Sequence, residues 1–253
     1  MVAHMSGAAY TLPQMATDVQ FAVSRVTSVN PATGEVLGEL DCAGPTEVRA
    51  AVGRARAAQP GWNACGIRDR VRVLRRFQQS LLERKNDIAR RITQEAGKPY
   101  VESLLTEVLV VLDAARFLIE NAYSLLRVEK LPHGNPALKT KAGRILHEPY
   151  GVIGIISPWN YPFSIPATEV LSALVAGNAV ILKPSEFTPL IALELRSLLQ
   201  AAGVPDAVFH VLPGEGATGA ALVQSEIDKL IFTGSIGTGR RIAQIAAERL
   251  HVG

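Results

Sequence analysis

Cysteine is scarce in this chain, which has 253 residues but only Cys42 and Cys65. Two cysteines cannot form the disulfide framework that holds small secreted domains together, and such sparse use is typical of a reducing, cytoplasmic compartment. No candidate general base accompanies either thiol in sequence, so we interpret both as inert structural residues rather than nucleophiles.

Long uninterrupted apolar runs are also missing. The apolar stretch 104–119 is broken by Glu107, Asp113 and Arg116, so no transmembrane helix and no membrane partner are expected. Residues 1–22 contain no basic segment followed by an apolar one, which argues against a signal peptide. We expect this segment to be a flexible N-terminal extension.

Charge of one sign is not concentrated in any region. The formal net charge is +3, and the basic residues are spread along the chain, which predicts no nucleic-acid partner. The densest basic patch, at 68–76, alternates with apolar residues and is typical of the solvated side of a helix. The five histidines are scattered without metal-ligand spacing, so no metal site is expected.

The sequence does contain a large apolar fraction and a regular alternation of elements. Hydrophobic residues make up 48% and charged residues 19%, which excludes global disorder. After Tyr150, apolar segments alternate with helical ones, which predicts right-handed βαβ units and an α/β fold whose parallel sheet is covered on both faces. The predicted strands are 152–157, 179–182, 208–212 and 230–233, and the predicted helices are 167–176, 189–203, 217–223 and 236–249.

The first part of the chain has a mostly helical pattern. Short β-like segments flank a turn at 30–34, and helical periodicity then begins behind a predicted N-cap at Thr46. Gly97-Lys98-Pro99 interrupts this periodicity, which ends near residue 127.

A protruding hairpin is predicted between the two parts. Residues 129–137 resemble a linker, and 138–149 are expected to form a β-hairpin around Lys141-Ala142-Gly143-Arg144. The predicted division is an extension at 1–22, a mostly helical part at 23–137, the hairpin at 138–150 and the sheet core at 151–253.

The loop Ser157-Pro158-Trp159-Asn160-Tyr161-Pro162 follows the first strand of the sheet core. Two prolines and two aromatic residues fix an irregular loop, and the amide of Asn160 can donate a hydrogen bond. Chemistry at a carbonyl needs such a donor where negative charge develops on oxygen. From the residues alone, a tight structural loop with Trp159 filling the core is an equally good interpretation.

A second polar group, Lys183-Pro184-Ser185-Glu186, follows the next strand. An ammonium and a carboxylate three residues apart can both bind the vicinal hydroxyls of a ribose, as an acidic residue does in dinucleotide-binding folds. The carboxylate would also repel a 2′-phosphate, which favours NAD over NADP. The alternative is a surface ion pair.

Two glycine-rich turns complete the pattern. Phe232-Thr233-Gly234-Ser235 ends the last strand, and 234–239 opens a helix whose free N–H groups suit a pyrophosphate. Residues 214–219 have the spacing G-x-G-x-x-G, which is a weak signal alone and follows the third strand rather than the first. Plain glycine-rich turns are the alternative.

Taken together, the three motifs in this order resemble the NAD(P)-dependent aldehyde dehydrogenase superfamily over roughly 29–249, most densely over 148–160. The resemblance implies an atypical Rossmann-like cofactor domain, with Asn160 as the donor that stabilises the oxyanion. It also implies that 138–149 belong to an oligomerisation hairpin, and hence a homo-oligomer for a full-length protein. The cofactor-binding residues that it implies are Ser157, Pro158, Trp159, Lys183, Ser185, Glu186, Gly216, Gly219, Phe232, Gly234, Ser235 and Gly239.

The family reaction uses groups that this sequence does not contain. In the family a cysteine thiolate adds to the aldehyde, the adduct passes a hydride to NAD, and a glutamate activates the water that releases the acid. Neither the glutamate motif nor the cysteine motif occurs here. The resemblance therefore implies aldehyde oxidation for an intact protein and inactivity for this chain alone. Two alternatives stay open: a non-catalytic NAD-binding module, and an inert truncated product.

Overall fold

A computed structural model describes residues 24–132, 134 and 141–248. The predicted extension at 1–22 and residues 138–140 of the predicted hairpin lie outside this part. The strands are β1 (Arg25–Val29), β2 (Val36–Asp41), β3 (Glu129–Leu131), β4 (Gly143–Ile145), β5 (Val152–Ile156), β6 (Ala179–Lys183), β7 (Phe209–Val211) and β8 (Lys229–Phe232). The helices are α1 (Pro45–Ala64), α2 (Gly66–Ala96), α3 (Tyr100–Glu102), α4 (Leu109–Leu125), α5 (Ser164–Val175), α6 (Pro189–Ala202), α7 (Gly216–Val223) and α8 (Ile236–Ala247), with a π-helical segment at Ser103–Val108.

The central sheet has four parallel strands in the order β7-β6-β5-β8. Strand β6 is buried along its whole length and β5 along all but its last residue, because helices cover both faces. This explains why their sequences are continuously apolar rather than alternating. The predicted α/β fold with a parallel sheet is thereby confirmed.

The strand order creates a reversal beside β5. The chain runs outward from β5 to β6 and β7, and then returns so that β8 lies on the other side of β5, with Ile155 in register with both Leu182 and Ile231. In open parallel sheets, ligands bind at the carboxyl ends of the strands at such a reversal. The fold thus fixes where a site is expected before any side chain is considered.

Helix α2, with 31 residues, is the central element of the first part of the chain and packs against α4 and α6. One face of α2 is almost fully buried and carries apolar residues at helical spacing, namely Leu74, Phe77, Leu81, Ile88 and Ile92. The helix ends where the sequence predicts a break, because Gly97 takes the left-handed conformation with φ of 73° and its N–H donates to the carbonyl of Thr93.

The start of α1 differs from the prediction. Its N-cap is Gly44 rather than Thr46, and Pro45 occupies the first turn. Proline is suited to that position because it has no N–H to leave unpaired. The Thr46 hydroxyl accepts instead from the side chain of Arg49.

The hairpin also differs from the prediction. Strand β3 lies in the segment predicted to be a linker, and it pairs antiparallel with β4 so that Glu129 faces Ile145 and Leu131 faces Gly143. The predicted turn residues 141–144 therefore lie within β4 and directly before it. Both strands are exposed or half-buried, so neither carries the apolar alternation from which a strand is recognised.

Two helix starts in the sheet core depend on distant carboxylates. Helix α5 begins at Ser164, three residues before the predicted 167, because the Glu107 carboxylate accepts from the N–H groups of Phe163 and Ser164. Thr188 occupies the N-cap position of α6 as predicted, but its side chain makes no capping hydrogen bond. The Glu95 carboxylate accepts from the first N–H groups of α6 in its place.

Candidate functional site

A cavity of about 880 Å³ lies at the carboxyl ends of β5, β6 and β8. It is the place that the strand reversal indicates, and it is bounded by the loop after β5, the loop after β6, and the starts of α7 and α8. All but one of the residues predicted from the sequence line it, namely Ser157, Pro158, Trp159, Asn160, Lys183, Ser185, Glu186, Gly216, Gly219, Phe232, Gly234 and Ser235.

Gly239 is the predicted residue that does not line the cavity. It packs behind Phe232 instead, since a Cβ at this position would lie 3.3 Å from a carbon of the Phe232 ring. Gly234 lies against the tip of the same ring, because a Cβ there would lie only 2.6 Å from ring atom Cζ. The absence of side chains at these two glycines therefore leaves the space that the Phe232 ring occupies in the cavity wall. A larger side chain at either position would displace the ring.

Asn160 lies exposed in the loop between β5 and α5. Its side-chain Oδ1 accepts a hydrogen bond of 3.1 Å from the backbone N–H of Tyr161. Because this contact uses the oxygen, the amide nitrogen is the group left to donate to a ligand. The first residue of the loop is held against the neighbouring strand, since the N–H of Ser157 donates to the carbonyl of Lys183 at the end of β6.

Lys183 is the last residue of β6, and its side chain is only 6% exposed. Its Nζ lies 3.4 Å from Oε2 of Glu186, whose side chain is 38% exposed. Burial lowers the pKa of Lys183 because the charged form loses hydration, and the Glu186 carboxylate opposes that shift. The pair therefore presents a buried ammonium and a more accessible carboxylate to the same cavity.

Two helices begin at the cavity wall. Helix α7 starts at Gly216 and α8 starts at Ile236, and their first residues include Gly216, Gly219 and Thr238 of the lining. Ser235 caps α8, since its Oγ accepts from the N–H of Thr238 at 3.2 Å. The unpaired N–H groups at such helix starts attract anions.

Sequence reasoning missed part of the lining. One face of α8 faces the cavity with Thr238, Arg241, Ile242 and Ile245. Their three- and four-residue spacing within a predicted helix was a usable signal. Phe187 also lines the cavity, and nothing in its local pattern distinguishes it from an ordinary exposed aromatic residue.

Glu169 lies behind the site and was not singled out from the sequence. Its Oε1 accepts from the hydroxyl of Thr233 at 3.3 Å, and Thr233 lines the cavity. Burial raises the pKa of Glu169 from its ordinary 4.5 to about 7, and the hydrogen bond from Thr233 opposes that shift. Glu169 also lines a second cavity, of about 680 Å³.

The described part of the chain contains neither a cluster of metal-ligating residues nor a membrane-spanning helix. Within residues 24–132, 134 and 141–248, no cluster of three or more His, Cys, Asp or Glu residues could hold a metal ion. None of the helices described there is both long and apolar enough to cross a membrane. Cys42 is half-buried and Cys65 is exposed, and neither is among the residues that line the large cavity.

The fold and the cavity define an α/β protein with a ligand site at the carboxyl edge of a parallel sheet. The model of the aldehyde dehydrogenase family matches residues 19–252, and the chain belongs to that family. The resemblance drawn from the motifs is thereby confirmed.

Individual relatives agree with this assignment. The betaine aldehyde dehydrogenase of Rhizobium etli (strain CIAT 652) is 38% identical over 226 residues, which cover 89% of this chain and 45% of that protein. Two solved structures each superpose with a TM-score of 0.84 over 90% of this chain and 47% of their own. They are an NAD+ complex of an aldehyde dehydrogenase from Bacillus cereus, 31% identical, and an E. coli NADP dependent enzyme, 33% identical. The chain thus spans about half the length of the relatives it matches.

Proposed function

We propose that this chain is the cofactor-binding part of an aldehyde dehydrogenase that uses NAD, in which Asn160 donates a hydrogen bond to the aldehyde oxygen. The observation that carries the proposal is that Asn160, Lys183 and Glu186, which lie at and beyond the carboxyl ends of β5 and β6, line one cavity. Family membership supports aldehyde oxidation by the intact protein. It does not by itself select the cofactor or the aldehyde.

The residues present fit a dinucleotide. The cavity volume of about 880 Å³ lies within the usual range of cofactor sites, roughly 300–1,000 Å³. Lys183 and Glu186 supply a donor and an acceptor for the hydroxyls of a ribose, and the starts of α7 and α8 supply N–H groups for a pyrophosphate. When bound, NAD supplies the hydride acceptor for the oxidation of an aldehyde.

Glu186 is the residue that favours NAD over NADP. Its carboxylate lies beside Lys183 at the cavity wall and would repel the 2′-phosphate of NADP. The two solved relatives, one an NAD+ complex and the other NADP dependent, show that the family accommodates either cofactor. The preference of this chain is therefore proposed from its own carboxylate.

Asn160 supplies the part of the chemistry that belongs to this chain. A preorganised amide donor stabilises the negative charge that develops on a carbonyl oxygen, and the loss of one such donor costs roughly 3–4 kcal/mol of barrier. The described residues place neither cysteine in the cavity, so no thiol there is positioned to add to the aldehyde. We therefore propose that the chain alone oxidises no aldehyde.

A non-catalytic NAD-binding module is the alternative function. It is favoured by one observation, that nearly all predicted cofactor residues line a single cavity within this chain. An inert product would instead leave this cavity without a ligand. Two further proposals are a cytoplasmic location, from the scarcity of cysteine, and a homo-oligomer when the chain is part of a full-length protein, from the family resemblance.

Calorimetric titration of the purified chain with NAD tests the proposal. Binding that is weakened about tenfold or more by Lys183→Met, and not by Lys85→Met on the exposed side of α2, is the expected result. No heat of binding at millimolar NAD would contradict the cofactor assignment and support an inert product. Aldehyde-dependent formation of NADH by the chain would instead overturn the proposed inactivity.

A further inference from the structure

A buried carboxylate lies directly beneath the loop that carries Asn160. Glu107, at the end of the π-helical segment, is completely buried. Its Oε2 accepts from the backbone N–H groups of Phe163 at 3.0 Å and Ser164 at 2.8 Å. These are the donors at the point where the loop of residues 157–163, here called the Asn160 loop, becomes helix α5.

Lys98 connects the same carboxylate to the middle of the loop. Its Nζ donates to Oε1 of Glu107 at 2.6 Å, and it lies 3.7 Å from the centroid of the Tyr161 ring. The side chain of Lys98 is only 12% exposed, whereas Tyr161 is 37% exposed. The cation is thus desolvated while the ring is not, and the contact is stronger than one between two fully exposed side chains. Tyr161 in turn donates its N–H to Asn160 Oδ1.

Stability alone does not account for this arrangement. Removing a carboxylate and an ammonium from water is costly, and well-packed neutral residues in place of a buried ion pair are often as stable or more stable. Buried ionic groups can instead fix one particular geometry. Here the geometry that is fixed is that of the Asn160 loop at two points, its end at Phe163 and its middle at Tyr161.

We propose that Glu107 and Lys98 are positioning residues that hold the Asn160 loop so that the amide nitrogen of Asn160 faces the cavity. The proposal rests on the proposed function for the meaning of that orientation. It assigns a role to Gly97-Lys98-Pro99, since the helix break at Gly97 brings Lys98 back toward Glu107. Neither residue lines the cavity, so both act through the loop and not on a ligand.

The orientation of Asn160 can be observed without cofactor or aldehyde. In the 253-residue chain, nuclear magnetic resonance reports hydrogen exchange at the Tyr161 amide and the shifts of the Asn160 side-chain NH₂. For Glu107→Gln we expect exchange at Tyr161, Phe163 and Ser164 to rise about tenfold, together with a shift of the Asn160 NH₂ resonances. The Tyr161 amide donates to Asn160 and not to Glu107, so a change there shows that the loop itself has loosened.

Glu95→Gln is the matched control. Glu95 caps α6 through the N–H groups of Leu190 and Ile191 as Glu107 caps α5. This variant should raise exchange at those two amides and leave Tyr161 unchanged. If Glu107→Gln alters only Phe163 and Ser164, or if both variants raise exchange at Tyr161 equally, Glu107 is a helix cap alone and the proposal is overturned.

Variants of Lys98 supply an independent measurement. Trp159 is 56% exposed and Trp62 is buried, so in a Trp62→Phe background the fluorescence reports on the loop. Lys98→Met should increase the quenching of Trp159 by acrylamide about twofold. Lys98→Arg should leave the quenching at the level of the parent chain, because a guanidinium keeps the contacts with Glu107 and with the Tyr161 ring. Unchanged quenching in Lys98→Met contradicts the proposal.

The double variant Glu107→Gln with Lys98→Met covers the case in which the single Glu107 variant does not fold. It replaces the ion pair by neutral groups of similar shape, so the fold is retained, while exchange at Tyr161 still rises. A folded double variant with normal exchange at Tyr161 overturns the proposal. If the proposed function fails, the chain does not bind NAD, but the variants still alter the loop measurements as described. The two failures are therefore distinguishable.

Discussion

The carboxylate of Glu95 on α2 accepts a hydrogen bond of 2.7 Å from the backbone N–H of Leu190 at the start of α6. The other oxygen accepts from Ile191 at 2.8 Å, and the Ser28 hydroxyl donates to the first. Burial raises the pKa of Glu95, and the hydrogen bonds from Leu190, Ser28 and Ile191 oppose that shift. A single side chain thus joins the β1–β2 hairpin, α2 and α6.

The first prediction concerns this cap. Glu95→Ala leaves two buried donors and one half-buried donor without their acceptor, and we expect it to lower the free energy of unfolding by about 3 kcal/mol. Thr188→Ala, at the position that the sequence predicts as the N-cap, should cost less than about 0.5 kcal/mol, because its hydroxyl has no hydrogen-bond partner among the described residues. Urea unfolding followed by circular dichroism measures both, and equal losses would contradict the assignment of the cap to Glu95.

The second prediction contrasts two glycines. Gly97→Ala should lower the free energy of unfolding by about 1–2 kcal/mol, because alanine disfavours the left-handed conformation and its Cβ would lie 2.8 Å from Pro31. Gly53→Ala, within α1 and with no atom within 4 Å of the added Cβ, should raise it by about 0.5–1 kcal/mol. Thermal unfolding measures the two changes, which must have opposite signs.

The third prediction concerns cofactor preference. Glu186→Gln removes the carboxylate that would repel a 2′-phosphate, so the ratio of NAD affinity to NADP affinity should fall by roughly tenfold. Glu120→Gln makes the same change of charge on α4 and should leave the ratio unchanged. Calorimetric titration with each cofactor supplies the values. A ratio that Glu186→Gln does not alter would show that another group selects the cofactor.

The fourth prediction concerns pH. Because the pKa of Glu169 is raised from 4.5 to about 7 in the folded chain, the folded state binds more protons than the unfolded state between these values. Its contribution therefore makes the protein less stable as pH rises through this window, with the full loss reached above about pH 7. Glu169→Gln keeps the side chain neutral at every pH.

Unfolding measurements from pH 4.5 to 8 test this expectation. The difference in stability between Glu169→Gln and the parent chain should grow in favour of the variant as pH rises, and then level off. Glu120→Gln, the same substitution at an exposed position of α4, is again the control for the loss of one carboxylate. A constant difference for Glu169→Gln would show that its carboxyl titrates normally.

The sequence determined the local elements and the order of the motifs. Continuous apolar segments predicted β5 and β6 because a strand covered on both faces is apolar throughout. The same apolar pattern predicted β8, although that strand is only half-buried. Prolines, aromatic residues and glycines that follow those strands marked the loops of the site, since their conformational preferences act within a few residues. Strand β3 escaped notice because its short, exposed segment has no pattern of burial to reveal it.

The tertiary structure decided which groups meet. Only the strand order β7-β6-β5-β8 brings Phe232 and Ser235 beside Asn160, because β8 pairs with β5 rather than continuing outward from β7. The carboxylates of Glu95 and Glu107 reach backbone donors that lie 95 and 56 residues away in the chain. No local pattern encodes such partners, because a buried charge is stabilised by whatever donors the packed fold brings to it.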